Sequence, residues 1–278
     1  MCILTRLKRL CCGRGNRHRF AISSNNPNND IIYEQEVFDL EKDFNNCPSY
    51  RYDNHDTPET ILSWNVNEVL CFATPESREK IVWHIKHFKP DIVCLQGLYN
   101  NNSRKYLIDQ LKHLYQYFIT GDLHQKYVLC EHSGLFILSK YPITFKKFVP
   151  YPNAKFPDTL CNKGVLYVKI NYLNLILTDC HTHNTEHLQY SMEILKRNSP
   201  FEEYIFVGSV MYDKVHESLR VHSNNLMYTN KDMTVTDYIL SVSKYIKLIV
   251  NVRHIDIRHV SYNYPIIARI QNNYMFQV

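Results

Sequence analysis

Asp179, His181 and His183 stand at i, i+2 and i+4 in the run Thr178-Asp179-Cys180-His181-Thr182-His183. On an extended strand side chains alternate between faces, so all three project to one side, and His187 follows in the next segment. Imidazoles grouped with a carboxylate are donors that zinc and other transition metals accept, which is the starting point for metal-assisted hydrolysis. The plainer alternative is that His183 and His187 are solvated residues at a strand end and a helix start, in a chain with 14 histidines to scatter. Spacing alone does not choose between the two. A second set of reactive groups lies at the amino terminus, where Cys2, Cys11 and Cys12 flank a basic amphipathic stretch. On a helix, Ile3, Leu4, Leu7, Leu10 and Cys11 form one apolar stripe and Arg6, Lys8 and Arg9 fill the rest of the circumference. Thiols in that setting are candidates for reversible acylation, and an acyl chain plus a polybasic segment is a two-signal membrane anchor. A disordered basic tail or a nuclear localisation signal fits the same residues.

The remainder of the chain has to supply the elements that hold such groups. Its 278 residues, 45% of them hydrophobic, suffice to bury the core of one large α/β domain. Six of the 32 basic residues fall in the first twenty positions; without them 26 bases face 27 acids, so the body has no overall charge that would draw nucleic acid. The nine cysteines are odd in number, contain no C-x-x-C pair and sit singly in apolar runs, which predicts reduced thiols in a cytoplasmic protein. No apolar run reaches the roughly 18 to 20 residues of a membrane span. The expected organisation is a basic Cys-containing leader over 1–20, a polar linker rich in Asn, Asp and Pro over 21–58, and a folded domain over 59–278.

Within that domain, strands are predicted over Ile61–Val66, Asp91–Gln96, Tyr127–Cys130, Gly134–Ser139, Gly164–Ile170, Leu173–Cys180, Tyr204–Val207, Val235–Ser241 and Ile266–Ile270. Thr74-Pro75-Glu76 reads as an N-cap followed by Pro at the first helical position, opening a helix through Phe88 with Ile81, Ile85 and Phe88 on one face. Further helices are predicted over Ser103–Tyr117, from Leu107, Leu111, Leu114 and Phe118, and over Thr185–Lys196. Trp64 and Trp83 are expected in the core, Lys146-Lys147 in a solvated turn, and the 21 tyrosines against 7 glycines are read as compositional bias. Many short strands with helices inserted early and midway imply two packed sheets flanked by helices.

Several phrases on these elements are shared with a known group of proteins: Leu62-Ser63-Trp64-Asn65, Pro90-Asp91-Ile92-Val93-Cys94-Leu95-Gln96-Gly97, Thr178-Asp179-Cys180-His181-Thr182, Val207-Gly208-Ser209-Val210-Met211 and Ser261-Tyr262-Asn263-Tyr264-Pro265. In that order they resemble the endonuclease/exonuclease/phosphatase superfamily. The implied fold is DNase I-like: a two-sheet β-sandwich flanked by helices, four layers α/β/β/α. The runs Ser133–Ile143 and Asn162–Val168 look most like the neutral sphingomyelinase branch, and Asp237-Tyr238-Ile239 looks like the late strand carrying the family's Asp.

The resemblance also implies what each position is for. A hard divalent cation, usually magnesium, is held by an Asn after the first strand and a Glu closing the second. Asn65 matches the former, and Gly97 stands where the Glu belongs. The family's Gly-Asp-x-Asn turn, which orients the attacking water and holds phosphate, aligns with Ser209 and Met211. The final Asp-His pair aligns with Tyr262 and Asn263. His181 and Asp237 match the remaining polar positions, each without its family partners. Asp213 would replace the lost Asp only if the turn slipped register; its plainer role is a surface acid.

General acid-base help is typically about 10²- to 10⁴-fold, and a metal supplies several kcal/mol more. With both removed, no identified group activates water. The expected function is therefore a catalytically inactive phosphodiesterase fold acting as a protein- or lipid-binding module, tethered through its amino terminus to the cytoplasmic face of a membrane. No cofactor is expected, and nucleic acid is not an expected partner. Two alternatives stand beside this: a rewired phosphodiesterase of sphingomyelinase or nuclease type using Mg or Zn, with Asp179, His181 and His183 as ligands, and a structural component of a larger assembly.

Overall fold

Alternation along the strands explains both the layers and the position of the site. The computed structural model describes residues 57–68, 74–121, 132–151, 161–180, 185–210, 228–258 and 260–272, all within one compact unit, Ser49–Val278. In β1 (Thr60–Glu68), Ile61 joins an apolar cluster on one face while Leu62, Trp64 and Val66 join another on the opposite face. β2 (Ile92–Leu98) repeats this, with Ile92 and Cys94 on the first face and Val93 and Leu95 on the second.

The remaining strands are β3 (Tyr117–Thr120), β4 (Phe136–Ser139), β5 (Ile143–Pro150), β6 (Gly164–Ile170), β7 (Leu173–Cys180), β8 (Ile205–Val210), β9 (Asp237–Ser241), β10 (Ile246–Val252) and β11 (Ile266–Asn272). They form a six-stranded sheet in the order β10-β11-β1-β2-β4-β3 and a five-stranded sheet in the order β5-β6-β7-β8-β9. One core lies between the sheets, where Ile61, Cys94 and Ile137 meet Leu166, Leu175, Val207 and Ile239. The outer face of the six-stranded sheet is covered by α1 (Pro75–Phe88) and α2 (Asn101–Leu111), through Ile81, Ile85, Leu107 and Leu111. The outer face of the other sheet is covered by α3 (Thr185–Asn198), through Met192 and Leu195. This is the expected four-layer α/β/β/α sandwich.

Local signals account for the helix boundaries. The Thr74 side chain accepts from the Ser77 N–H at 3.1 Å and the Ser77 hydroxyl accepts from the Thr74 N–H at 3.2 Å, a reciprocal cap that fixes the start of α1. Its end is set by Lys89 in the left-handed region at φ 50°.

Four expectations are corrected. The helix predicted to Tyr117 stops at Leu111: the chain turns so that the Tyr115 hydroxyl donates to the Pro90 carbonyl at 2.9 Å, and Tyr117 opens β3 against Ser139. Trp83 is 59% exposed, whereas Trp64 is fully buried. Lys146 and Lys147 lie inside β5, paired with Val168 and Tyr167, not in a turn. The chain also contains β3, β5 and β10, which the sequence pattern does not predict. The expected strand Tyr127–Cys130 falls outside the described residues.

Candidate functional site at the end of the sandwich

The inward-facing positions change character at one end of the two sheets. Along β1 the series is Ile61, Ser63, Asn65; along β2 it is Ile92, Cys94, Gln96; along β7 it ends at Leu177, Asp179; along β8 at Val207, Ser209; and β9 begins at Asp237. Register aligns them laterally, with Asn65 opposite Gln96, Asp179 opposite Ser209, and Ser209 opposite Asp237. All five are at most 2% exposed. Carboxylates at such depth require partners, because an isolated buried charge is strongly disfavoured.

Asp179 has strong ones. The Lys163 ammonium lies 2.7 Å from its Oδ2, with the two side chains only 6% and 2% exposed. The Tyr99 hydroxyl donates to the same oxygen at 3.0 Å, and the Asn65 amide approaches Oδ1 at 3.5 Å. Lys163 also sits 5.5 Å from the centre of the Tyr99 ring. Burial, then the Asp179 charge, pushes the Tyr99 phenol well above its ordinary pKa, so it stays a donor. Sequence reasoning assigns no role to Lys163 or Tyr99. The available signal is Lys163 at the mouth of an apolar strand, where a cation needs a carboxylate.

Asp237, expected without its family partners, is held by other groups. Its Oδ1 accepts from the Asn263 amide at 3.1 Å and its Oδ2 from the Thr236 hydroxyl at 2.8 Å. Asn263 is itself fixed, since its carbonyl accepts from the Trp64 indole N–H at 2.9 Å and its N–H donates to Ser261 Oγ at 3.0 Å. An Asn amide thus meets the carboxylate where the resemblance calls for an imidazole. Asn can donate this hydrogen bond but does not titrate, so the pair has no proton to relay.

Gly97 closes β2 at φ +71°. A Cβ there would stand 2.8 Å from Asn65 Oδ1 and 2.9 Å from the Asn67 nitrogen. The close approach is made where β1 bulges between Asn65 and Glu68 and Asn67 takes φ 47°. Glu68 is not a substitute. It turns toward α1, where its Oε1 accepts from Ser77 Oγ at 3.4 Å, and burial raises its pKa against the pull of Ser103 and Arg78.

Ser209 is fully buried between the two aspartates. Tyr262 is 38% exposed, and a hydrogen bond with Asp232 pushes its phenol up to about 12. The structure thus brings together Asn65, Gly97, Asp179, Ser209, Asp237 and Asn263, with Tyr262 at the rim. His181, His183, Met211 and Asp213, and the leader cysteines Cys2, Cys11 and Cys12, lie outside the described residues. Among the described residues no group of three His, Cys, Asp or Glu is placed to hold a metal. Among the described donors the set is a poor match for a hard divalent cation: Asp179 is bound to a lysine, and the residue that the resemblance aligns with a second carboxylate is Gly97.

A four-layer sandwich with polar residues gathered at one end of paired parallel strands defines a phosphodiesterase-type scaffold. The chain matches the Endonuclease/Exonuclease/phosphatase family over residues 62–233, and it belongs to that family. Over 85 residues it is 34% identical to a sphingomyelinase of Dictyostelium discoideum, a stretch covering 29% of this chain and 19% of that protein. Over 88 residues it is 31% identical to sphingomyelin phosphodiesterase 3 of Rattus norvegicus, covering 29% of this chain and 13% of that one. The match thus spans less than a fifth of either relative's length. Sphingomyelinase C from Streptomyces griseocarneus shares the fold with a TM-score of 0.62 at 15% identity, over 77% of this chain and 99% of that one. A double mutant of beta toxin from Staphylococcus aureus with bound magnesium ions does so with a TM-score of 0.61 at 18% identity, over the same shares, 77% and 99%.

Proposed function

We propose that this family member binds a partner at the mouth of its sandwich and does not carry out metal-dependent phosphodiester hydrolysis. The observation that carries the reading is the buried Lys163–Asp179 pair at 2.7 Å. It sets a fixed ammonium on the carboxylate nearest Asn65, where a cation-dependent enzyme needs negative charge. Glycine at 97 and the non-titrating Asn263 on Asp237 support the same conclusion. Each of these three features has a settled local structure around it, which favours a retained scaffold with another use.

The rim favours a protein or lipid partner over a nucleotide. Met233 is 75% exposed and Tyr262 38% exposed beside the site, giving it apolar contact area. Among the described residues no helix is long and apolar enough to cross a membrane. Attachment at the cytoplasmic face is proposed to come from residues 1–20, through acylation at Cys2, Cys11 or Cys12 and attraction of the bases to anionic lipid.

The test is turnover of sphingomyelin in mixed micelles and nicking of plasmid DNA by the full chain with magnesium present, run beside sedimentation with anionic and neutral vesicles. The expected result is no turnover. Magnesium-dependent turnover that is lost in His181→Ala would overturn the proposal in favour of a rewired phosphodiesterase.

A further inference from the structure

The outer face of α1 carries a tryptophan where the core does not need one. Ile81, Val82 and Ile85 turn inward, while Trp83 stands 59% exposed. Its indole is held flat on the His87 imidazole, with ring centres 5.1 Å apart and planes 4° from parallel, and it meets the buried His84 edge-on at 4.8 Å. The ring is therefore fixed in place while most of it remains in water. An exposed indole forgoes the burial that makes tryptophan worth its size, and the setting in which one face turns to water and the other to apolar matter is an interface.

The charges around Trp83 say what lies on the other side of that interface. The segment 253–258 runs beside α1, since Ile255 and Ile257 join its apolar cluster and the Lys80 ammonium donates to the Arg258 carbonyl at 3.4 Å. Two of the acids on this surface are already matched, Glu76 by Lys80 and Asp256 by Arg258, both at 2.8 Å. That leaves Lys86, Lys89 and Arg253 without an ion-pair partner among the described residues, against Glu79 alone. Lys86 is half-buried and Lys89 and Arg253 are exposed, so their charges reach the surface. A tryptophan ring flanked by unmatched bases is the composition that rests at the headgroup level of an anionic bilayer. A protein hot spot would instead set the ring among other apolar side chains that exclude water, and Trp83 has none exposed on α1 beside it.

We infer that the outer face of α1, centred on Trp83 and bordered by Lys86, Lys89 and Arg253, is a docking surface for anionic lipid bilayers. It rests on the membrane attachment proposed above but uses different residues. The leader supplies the tether, and this face sets how the folded domain lies against the lipid.

The experiment is partition of the full, unacylated chain onto vesicles of phosphatidylcholine with and without phosphatidylserine, read by sedimentation and by quenching of tryptophan fluorescence with brominated lipid. Trp64 is fully buried, so only Trp83 is open to the quencher. The expected results are partition onto the anionic vesicles with quenching, and loss of the quenching in Trp83→Phe. Lys86→Glu with Lys89→Glu weakens partition by more than about tenfold, since each base near such a surface contributes about fivefold. All three substitutions lie on the outside of the helix or at its cap, where the fold tolerates them. A second protein with Arg6, Lys8, Arg9, Arg14, Arg17 and Arg19 changed to Ala removes the leader's charge and retains Trp83 quenching at higher lipid concentration. Partition without quenching of Trp83, or partition unmoved by the two lysine reversals, would assign attachment to the leader alone and refute the inference. Absence of partition in every protein would refute it together with the proposed tether.

Discussion

Removing the Lys163 ammonium while leaving its length and most of its volume, as in Lys163→Met, tests the feature on which the site depends. At 2.7 Å the pair attracts by about 6 kcal/mol at an effective dielectric constant of about 20. Desolvating each ion costs several kcal/mol, so the net worth of the intact pair is small. Breaking it from one side is another matter. Asp179 would stay buried without its lysine, and Tyr99 and Asn65 donate hydrogen bonds but no charge. The expected loss is about 3–5 kcal/mol for Lys163→Met. Adding Asp179→Asn removes the stranded charge and keeps an acceptor for Tyr99, so the double variant recovers about 2 kcal/mol or more. Urea denaturation followed by the fluorescence of buried Trp64 gives the four corners of the cycle. Additive effects, each below about 1 kcal/mol, would show that the two side chains are not paired in solution and would remove the main support for a neutralised site.

Three further outcomes follow from the same geometry. Gly97→Glu restores the family's side chain on paper but meets Asn65 Oδ1 and a positive φ; it lowers stability by about 1–2 kcal/mol and yields no magnesium-dependent hydrolysis, checked by denaturation and sphingomyelin turnover. Trp64→Phe, which loses the indole bond to Asn263 and leaves a void, costs about 2 kcal/mol or more, whereas Trp83→Ala on the exposed face of α1 costs under about 1 kcal/mol; thermal melts of the two distinguish a core from a surface tryptophan. His132 is held neutral by burial and then by Arg104 and Lys146, which pull its pKa down to about 3. The folded state therefore excludes a proton that the unfolded chain accepts, so this contribution is complete above about pH 6.5 and is lost as pH falls toward 3. Denaturation midpoints between pH 7 and 4 should fall less steeply in His132→Asn than in the parent.

The architecture is legible because β1, β2, β6 and β7 are short, largely apolar runs of strand length and because Thr74-Pro75 marks a helix start that the backbone adopts. What escapes has identifiable causes. Tyr117 and Phe118 continue the helical spacing of Leu107, Leu111 and Leu114, so β3 hides in the preceding helix. β10 is the last strand of its sheet, and its exposed Lys247 and Asn251 dilute its apolar run. Trp83 lies two residues from both Ile81 and Ile85, roughly 200° around the helix from each, so the same periodicity that identifies α1 already sets it on the outer face. The site is partly legible: phrase by phrase, the sequence identifies Asn65, Gly97, Ser209, Asp237 and Asn263. The Lys163–Asp179 pair is not, because it needs the β6–β7 register, in which Val165 faces Thr178 and the two residues lie just beyond, and the strand pattern alone does not say that these end residues turn toward each other. The contact of Asp237 with Asn263 is likewise not legible, because the two residues are 26 positions apart and meet only through the fold.

The central claim is that this site has exchanged metal chemistry for internal neutralisation. Titration calorimetry of the full chain with magnesium and with zinc, beside hydrolysis of sphingomyelin and plasmid DNA, addresses it most directly. The account predicts no saturable binding of either cation at the site and no turnover. Stoichiometric binding of magnesium or zinc, weakened by Asp179→Asn and accompanied by turnover, would contradict it and would mean that Asp179 leaves Lys163 to rebuild a working centre.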